Sequence, residues 1–273
     1  IGAARQKAMM TYHVTGGMLK GDGTGGDSWN PLKAGVTTLM VRQFNQTMSF
    51  ETGYGKFERP IHPMEFGIGY DNTDYPNNPS EGSSQFFSLT RDFGWGDALF
   101  PWTFWEVEAS KYFSLGESGL AKQRVIALNA WTGDSPSWNE SVDAEGNIVI
   151  TDRPPQYEGA TLGGCYRMRA SPSNRFNDRS VIYTTAEYRY TPRWTPIGEV
   201  SGLRWLKMDW WQFGGFVDGG RVANEYSFSE LFSDWKVDAG LGIRAMMAGG
   251  VVRFDWAISD EGSSMWVMFG HPF

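Results

Sequence analysis

Residues 249–260, GGVVRFDWAISD, alternate strictly: Val252, Phe254, Trp256 and Ile258 fall on one face, and Arg253, Asp255, Ala257 and Ser259 on the other. Successive side chains of a β-strand point to opposite faces, so this pattern is a strand with one apolar and one charged side. In a soluble sandwich the charged side would look out to water; in a membrane barrel it looks into a wet lumen. The flanking segments repeat the theme. Upstream, WKVDAGLGIRAMM sets Val237, Ala239, Leu241 and Ile243 against Lys236, Asp238 and Arg244. Downstream, GSSMWVMFGHPF places Met265, Val267, Phe269, His271 and Phe273 on one face, which the pattern predicts to be a closing strand.

Similar segments occur near residues 210–223, 180–192, 123–134, 102–114, 83–95 and 62–73, with weaker ones near 46–58, 32–44 and 7–19. About twelve strands can be read, and no helical periodicity competes for the chain. No apolar run approaches the roughly 20 residues that a membrane-spanning helix needs, whereas a barrel strand needs only about 9–11. The 13 Trp, 11 Tyr and 18 Phe suit the aromatic girdles of a barrel, and the 34 Gly suit its turns and smooth wall. Connections are unequal. DEGSS after Ser259 is a short turn, while residues 135–179 form a long polar stretch carrying Pro136, Pro154, Pro155 and Pro172. Short turns at one end and long loops at the other belong to outer-membrane barrels, and so long a loop is usually functional. The fold class predicted is therefore all-β, an antiparallel transmembrane β-barrel occupying residues 1–273 as one domain. Export to an outer membrane requires a leader, and Ile1 does not open one, so further residues upstream are expected.

Other chemistry is thin. The net charge of −7 without a basic cluster excludes nucleic acid as an expected partner. One cysteine, Cys165, allows neither an internal disulfide nor a multi-cysteine metal site, and His13, His62 and His271 are far apart, so no metal and no cofactor is expected. GDGTGG at 21–26 lacks the Lys-Ser/Thr of a phosphate loop and reads as a hairpin loop. No Gly-x-Ser-x-Gly elbow occurs, and Glu106 and Glu108 read as lumen carboxylates. No catalytic residue, and no enzyme, is expected.

The segment LGGCYRMRASPSNRFNDRSVIYTTAEYRYTP, Leu162 to Pro192, resembles the sixth extracellular loop and following strand of the outer-membrane-protein-85 superfamily, which includes BamA and TamA assembly factors. The hallmark of that family is a Val-Arg-Gly-Phe/Tyr tetrad after a Gly-Gly; here Gly163 and Gly164 precede Met168-Arg169-Ala170-Ser171. GYDNTDYPNNPSEGSSQFFSL, FGGFVDGGRV and the closing strand also resemble family segments and fall in the family's order, so that the likeness covers roughly residues 62–273. The resemblance implies a barrel of about sixteen strands, of which about twelve are readable here. It also implies a loop folded into the lumen and held by Arg169, whose planar fork suits carboxylate partners. The partners implied are Glu187, which shares a face with Val181, Tyr183, Thr185 and Arg189, and Asp218, opposite Gly215, Val217 and Gly219.

The tetrad's glycine is Ala170 and its aromatic Ser171. Alanine resists positive φ, so a different local conformation is expected at the tip. Arg175 and Phe176, just downstream, are candidates to replace the missing contact. In the family the seam beside the last strand engages substrate; Phe269, Gly270 and Phe273 are the candidates here. The function implied is outer-membrane protein assembly or polypeptide translocation, with outer-membrane lipid, a nascent polypeptide and periplasmic or outer-membrane accessory proteins as partners. A barrel serving as anchor, scaffold or pore in a larger outer-membrane complex is the alternative.

Overall fold

A computed structural model describes residues 2–15, 35–52, 55–75, 78–195, 208–247 and 249–273. The strands are β1 (Gly2–Thr15), β2 (Val36–Thr52), β3 (Gly55–Ile61), β4 (Met64–Asp71), β5 (Gly82–Asp92), β6 (Trp102–Ser114), β7 (Ala121–Asp134), β8 (Asn139–Val142), β9 (Ile148–Thr151), β10 (Thr161–Leu162), β11 (Phe176–Asn177), β12 (Ser180–Pro192), β13 (Met208–Ala223), β14 (Lys236–Met247), β15 (Gly250–Ser259) and β16 (Gly262–Phe269). A single helical turn, α1 (Phe228–Leu231), lies between β13 and β14. The main sheet has twelve strands, in the order β1-β2-β4-β5-β6-β7-β12-β13-β14-β15-β16 with β3 on β2, and its pairs are all antiparallel.

The barrel is inverted relative to a soluble protein. Outward residues are exposed and apolar, among them Leu128, Leu241, Phe254, Ile258, Val267 and Phe269. The inward face is buried and polar: Arg189 and Glu187 on β12, Asp218 on β13, Arg244 on β14, and Arg253 and Asp255 on β15. The alternation read in 249–260 is this inside-outside division. The inward set of β12 is Val181, Tyr183, Thr185, Glu187, Arg189 and Thr191. Charges are buried here because each meets an opposite charge, on its own strand or from a neighbouring element, which offsets the cost of leaving water.

Two sequence expectations change. The weak segments at 32–44 and 46–58 meet in one strand: β2 runs from Val36 to Thr52, its first half pairs with β4 and its second half with β3, which takes up the rest of the second segment from Gly55. The pairing strand is interrupted at His62-Pro63, where proline has no N–H to give to the ladder. The second change concerns the end of the chain. β16 stops at Phe269; Gly270 takes a φ of 86° and donates its N–H to the Val251 carbonyl at 2.9 Å. Phe273 then turns inside, 6.4 Å from the Tyr112 ring, so it does not share a strand face with Phe269. Left-handed φ is cheap for glycine, and that single residue redirects the chain. Part of the segment 7–19, part of 32–44 and all of GDGTGG lie outside the described residues.

The connection from β7 to β12 is neither extended nor structureless. It carries the β8–β9 hairpin and the two-residue β10–β11 ladder. Its second half lies inside the barrel. Ala160, Leu162 and Met168 join Phe44, Trp102, Phe104, Trp131, Val181 and Tyr183 in one buried apolar cluster, so the loop touches walls on both sides of itself.

Candidate functional site

The loop tip begins at two glycines. Gly163 and Gly164 have φ of 109° and 112°, which side-chain-bearing residues rarely adopt. A Cβ on Gly163 would also collide with the Pro172 carbonyl oxygen. These angles let Gly163 N–H donate to the Arg167 carbonyl and Gly164 N–H to the Ser171 carbonyl, both at 3.0 Å, so residues 165–170 fold into a compact knuckle. Met168 takes the left-handed conformation at φ 56° with its side chain buried in the apolar cluster. Ala170 is not at positive φ, as an alanine's resistance to that region requires, and the left-handed residue of the tip is Met168. Ala170 packs against Phe216 and Ala257.

The knuckle aims Arg169 at the strands that follow the loop. Its Nε and Nη2 donate to Asp218 Oδ2 and Oδ1 at 2.9 and 2.8 Å, a two-pronged pair, and its backbone N–H also reaches Asp218 Oδ2 at 3.2 Å. Nη1 donates to Glu187 Oε2 and to Asp255 Oδ2, each at 3.3 Å. The guanidinium lies over Phe216, its Cζ 3.2 Å from the ring centroid. Both kinds of contact gain strength where water is excluded, and Arg169 has no exposed surface. The backbone continues the grip. Ala170 N–H donates to Asp238 Oδ2 at 2.7 Å, Trp266 Nε1 to the Arg169 carbonyl at 2.7 Å, and Ser264 Oγ to the Ala170 carbonyl at 2.9 Å. Residues 169 and 170 therefore touch β12, β13, β14, β15 and β16.

Glu187 is the second hub. It accepts from Arg189 Nε at 2.6 Å and from Arg244 Nη1 and Nη2 at 2.6 and 2.5 Å, besides Arg169. Arg253 lies beside Asp255 at 3.2 Å and donates to the Cys165 carbonyl at 2.7 Å. Arg169, Arg189, Arg244 and Arg253 thus face Glu187, Asp218, Asp238 and Asp255, equal numbers of opposite sign buried together. Such a cluster fixes one arrangement, because any displacement leaves a buried charge without its partner.

Of the residues singled out in the sequence, Gly163, Gly164, Arg169, Ala170, Glu187 and Asp218 come together here. Arg175 and Phe176 go elsewhere, a correction to their expected role: Arg175 reaches Glu261 at 3.3 Å, and Phe176 pairs with Leu162. The aromatic beneath the arginine is supplied by the wall, as Phe216. Phe269, Gly270 and Phe273 lie at the far end of β16, and the Arg189 guanidinium is 5.2 Å from the Phe273 ring. Sequence reasoning missed Asp238, Asp255, Ser264 and Trp266. Alternation put Asp255 on the inner face, but nothing in the spacing gave its partner.

The remaining polar candidates have structural partners. Glu106 accepts from Trp131 Nε1 at 2.7 Å, and Glu108 from Arg167 Nη2 at 3.1 Å and Asn129 at 3.0 Å. Burial pushes the Cys165 thiol up, away from reactivity. Among the described residues no His, Cys, Asp and Glu converge to hold a metal ion. A cavity of about 480 Å³ stays open between the loop and the opposite wall, lined by Ser84, Glu108, Ser110, Asn129, Tyr166 and Phe273.

No family model matches this chain, and no curated protein matches it. Among solved structures it is similar to the crystal structure of BamA from Haemophilus ducreyi lacking POTRA domains 1-3, with 13% sequence identity and a TM-score of 0.57. That likeness covers 98% of this chain and 54% of the other, so the chain spans about half the length of that BamA. The fold, an antiparallel BamA-like β-barrel, is what the likeness establishes.

Proposed function

We propose that this chain is an outer-membrane barrel that acts in outer-membrane protein assembly or polypeptide translocation. The observation that carries the reading is the loop arginine. Arg169 is fully buried on Asp218, Glu187 and Asp255, at the tip of a loop folded into a barrel of BamA-like fold. Outer-membrane lipid is the surrounding medium, since the exposed apolar outer wall is costly in water and stable in hydrocarbon. A nascent polypeptide and accessory proteins are the partners of this role, and the role needs no catalytic residue and no cofactor. Phe269 and Gly270 lie where β16 ends, beside an edge at one end of the strand order. An unpaired edge in lipid leaves costly N–H and C=O groups and accepts a new strand readily.

One observation favours a second reading, a barrel that anchors, scaffolds or forms a pore in a larger outer-membrane complex. Ala170 and Ser171 are both buried at the tip, where the resembled motif carries glycine and an aromatic. Depletion of the protein separates the two. Assembly predicts falling levels of other barrels on heat-modifiability gels. Unchanged levels of every other barrel, with normal secretion of exported polypeptides, refute the first reading and leave the second.

A further inference from the structure

The connection between β13 and β14 does not stand up into water or fold over the lumen. It lies down on the outside of the wall. Tyr226 crosses to the outer face of β6 and β7, where its hydroxyl is 3.0 Å from Thr132 Oγ1 and its ring meets Trp105 edge-on at 5.0 Å. At the other end Trp235 lies against the outer side of β13 at Gly219, where a Cβ would press on the indole ring. Trp235 Nε1 donates to the Leu231 carbonyl at 2.8 Å, which fastens α1 to the wall. Between these two footings Phe228 and Phe232 stack at 4.4 Å, and Phe232 lies 5.8 Å from Trp235. Despite that packing Phe228 is 78% and Phe232 51% exposed, and Leu231 alone is turned in and buried. A loop built for water does not display stacked phenylalanines on its outer side.

We propose that residues 224–235 form a foot that seats Phe228 and Phe232 in the lipid leaflet at the boundary between acyl chains and headgroups. This rests on the reading of the outer wall as lipid-facing. The occupant is lipid because the foot lies on the same outer face as the exposed Val217 and Val237 of the flanking strands and, like them, exposes apolar side chains, Tyr226, Phe228 and Phe232. Its polar groups lie where a boundary requires them: Arg221 on β13 pairs with Asp234 at 3.2 Å and lies near Glu230, which gives the foot a charged rim beside its aromatic underside. Aromatic rings with a polar neighbour are the side chains that settle at this depth. The same edge of the barrel carries a second outward aromatic pair, Phe93 stacked on Trp95 at 4.8 Å, so the foot is part of a band. By lying across β12 it fixes the depth of the strands that hold Glu187 and Asp218.

The test is a depth measurement on the full chain folded into phosphatidylcholine vesicles, in a Cys165→Ser background. Phe228→Cys carries an environment-sensitive fluorophore, Phe232→Cys repeats the measurement, and Phe254→Cys on the outer face of β15 is the control. The expected result is quenching of the Phe228 and Phe232 probes by lipid labelled near the headgroup, severalfold stronger than by aqueous acrylamide, while the Phe254 probe responds best to a deep label. A lipid-quenched control with loop probes open to acrylamide overturns the foot and leaves the outer-wall reading standing. Absence of lipid quenching at all three sites overturns both. Protection that grows with the protein-to-lipid ratio assigns the surface to a second copy and overturns the lipid assignment.

Discussion

Replacing Arg169 by alanine should release the loop tip without dismantling the wall. The variant removes the two-pronged pair with Asp218, the bonds to Glu187 and Asp255, and the guanidinium over Phe216. It leaves three buried carboxylates with one cation fewer, and Asp218 loses its ion-pair partner. Removing one member of a buried pair costs about 3–5 kcal/mol, since the other charge is stranded. At about 1.4 kcal/mol per decade that is roughly two to three and a half decades in the equilibrium between docked and released loop. The wall itself is held by ladders that Arg169 does not join, so the effect should be local. The assay is tryptic cleavage after Arg167, which is shielded while Arg167 pairs with Glu108 inside the barrel, followed in vesicles where cleavage is slow relative to reclosing. Arg169→Lys keeps the charge but loses the fork, and its cleavage rate should fall between those of the parent and the alanine variant. A double-mutant cycle with Asp218→Asn should show coupling of about 0.5–3 kcal/mol. A cleavage rate unchanged in Arg169→Ala, or strictly additive effects in the cycle, refutes the anchor.

Other expected outcomes follow from the same geometry. Gly163→Ala meets the Pro172 carbonyl at a φ of 109° and should cost about 1–3 kcal/mol of loop docking, read by the same cleavage. Phe254→Arg, on the outer face in the middle of β15, should lower barrel stability in vesicles by about 2–4 kcal/mol; an unchanged unfolding midpoint would count against lipid on that face. The Asp143 carboxyl is held below the usual carboxylate range by hydrogen bonds from the Asn147 side chain and backbone. A depressed folded-state pKa contributes stability that is present above the unfolded pKa and lost as pH falls through the folded one. The amides of the β8–β9 hairpin should therefore lose protection, measured against the intrinsic exchange rate at the same pH, below the ordinary carboxylate range, and Asp143→Asn should flatten that dependence.

What could be read in advance follows from the physics of each signal. Alternation is local and was legible: Arg253 and Asp255 face inward because Phe254 and Trp256 face outward. The convergence of Arg169 on Asp218 and Glu187 was legible through resemblance, because that pairing lies within a recognisable motif. Asp238, Ser264 and Trp266 were not, since they join the site through backbone groups of residues 169 and 170, 68–97 positions away, and a backbone N–H or carbonyl leaves no mark on composition. The end of β16 is not legible, because Met265, Val267, Phe269, His271 and Phe273 keep one period through Gly270, and periodicity carries no information on φ. The continuity of β2 is not legible either, because its two halves pair with different strands, β4 and β3, and its own pattern weakens in between.

The hold of the loop on the last strand has a consequence for how this site can drift. Trp266 and Ser264 donate to the carbonyls of residues 169 and 170, and any amino acid supplies a carbonyl. A substitution at 170 that still fits between Phe216 and Ala257 therefore leaves the bond from Ser264 in place, provided the tip backbone keeps its path. Arg169 has no such latitude, because its fork is spent on side chains. The two neighbouring positions are therefore held in different ways: Arg169 by its side chain as well as its backbone, Ala170 by its backbone and by close packing against Phe216 and Ala257.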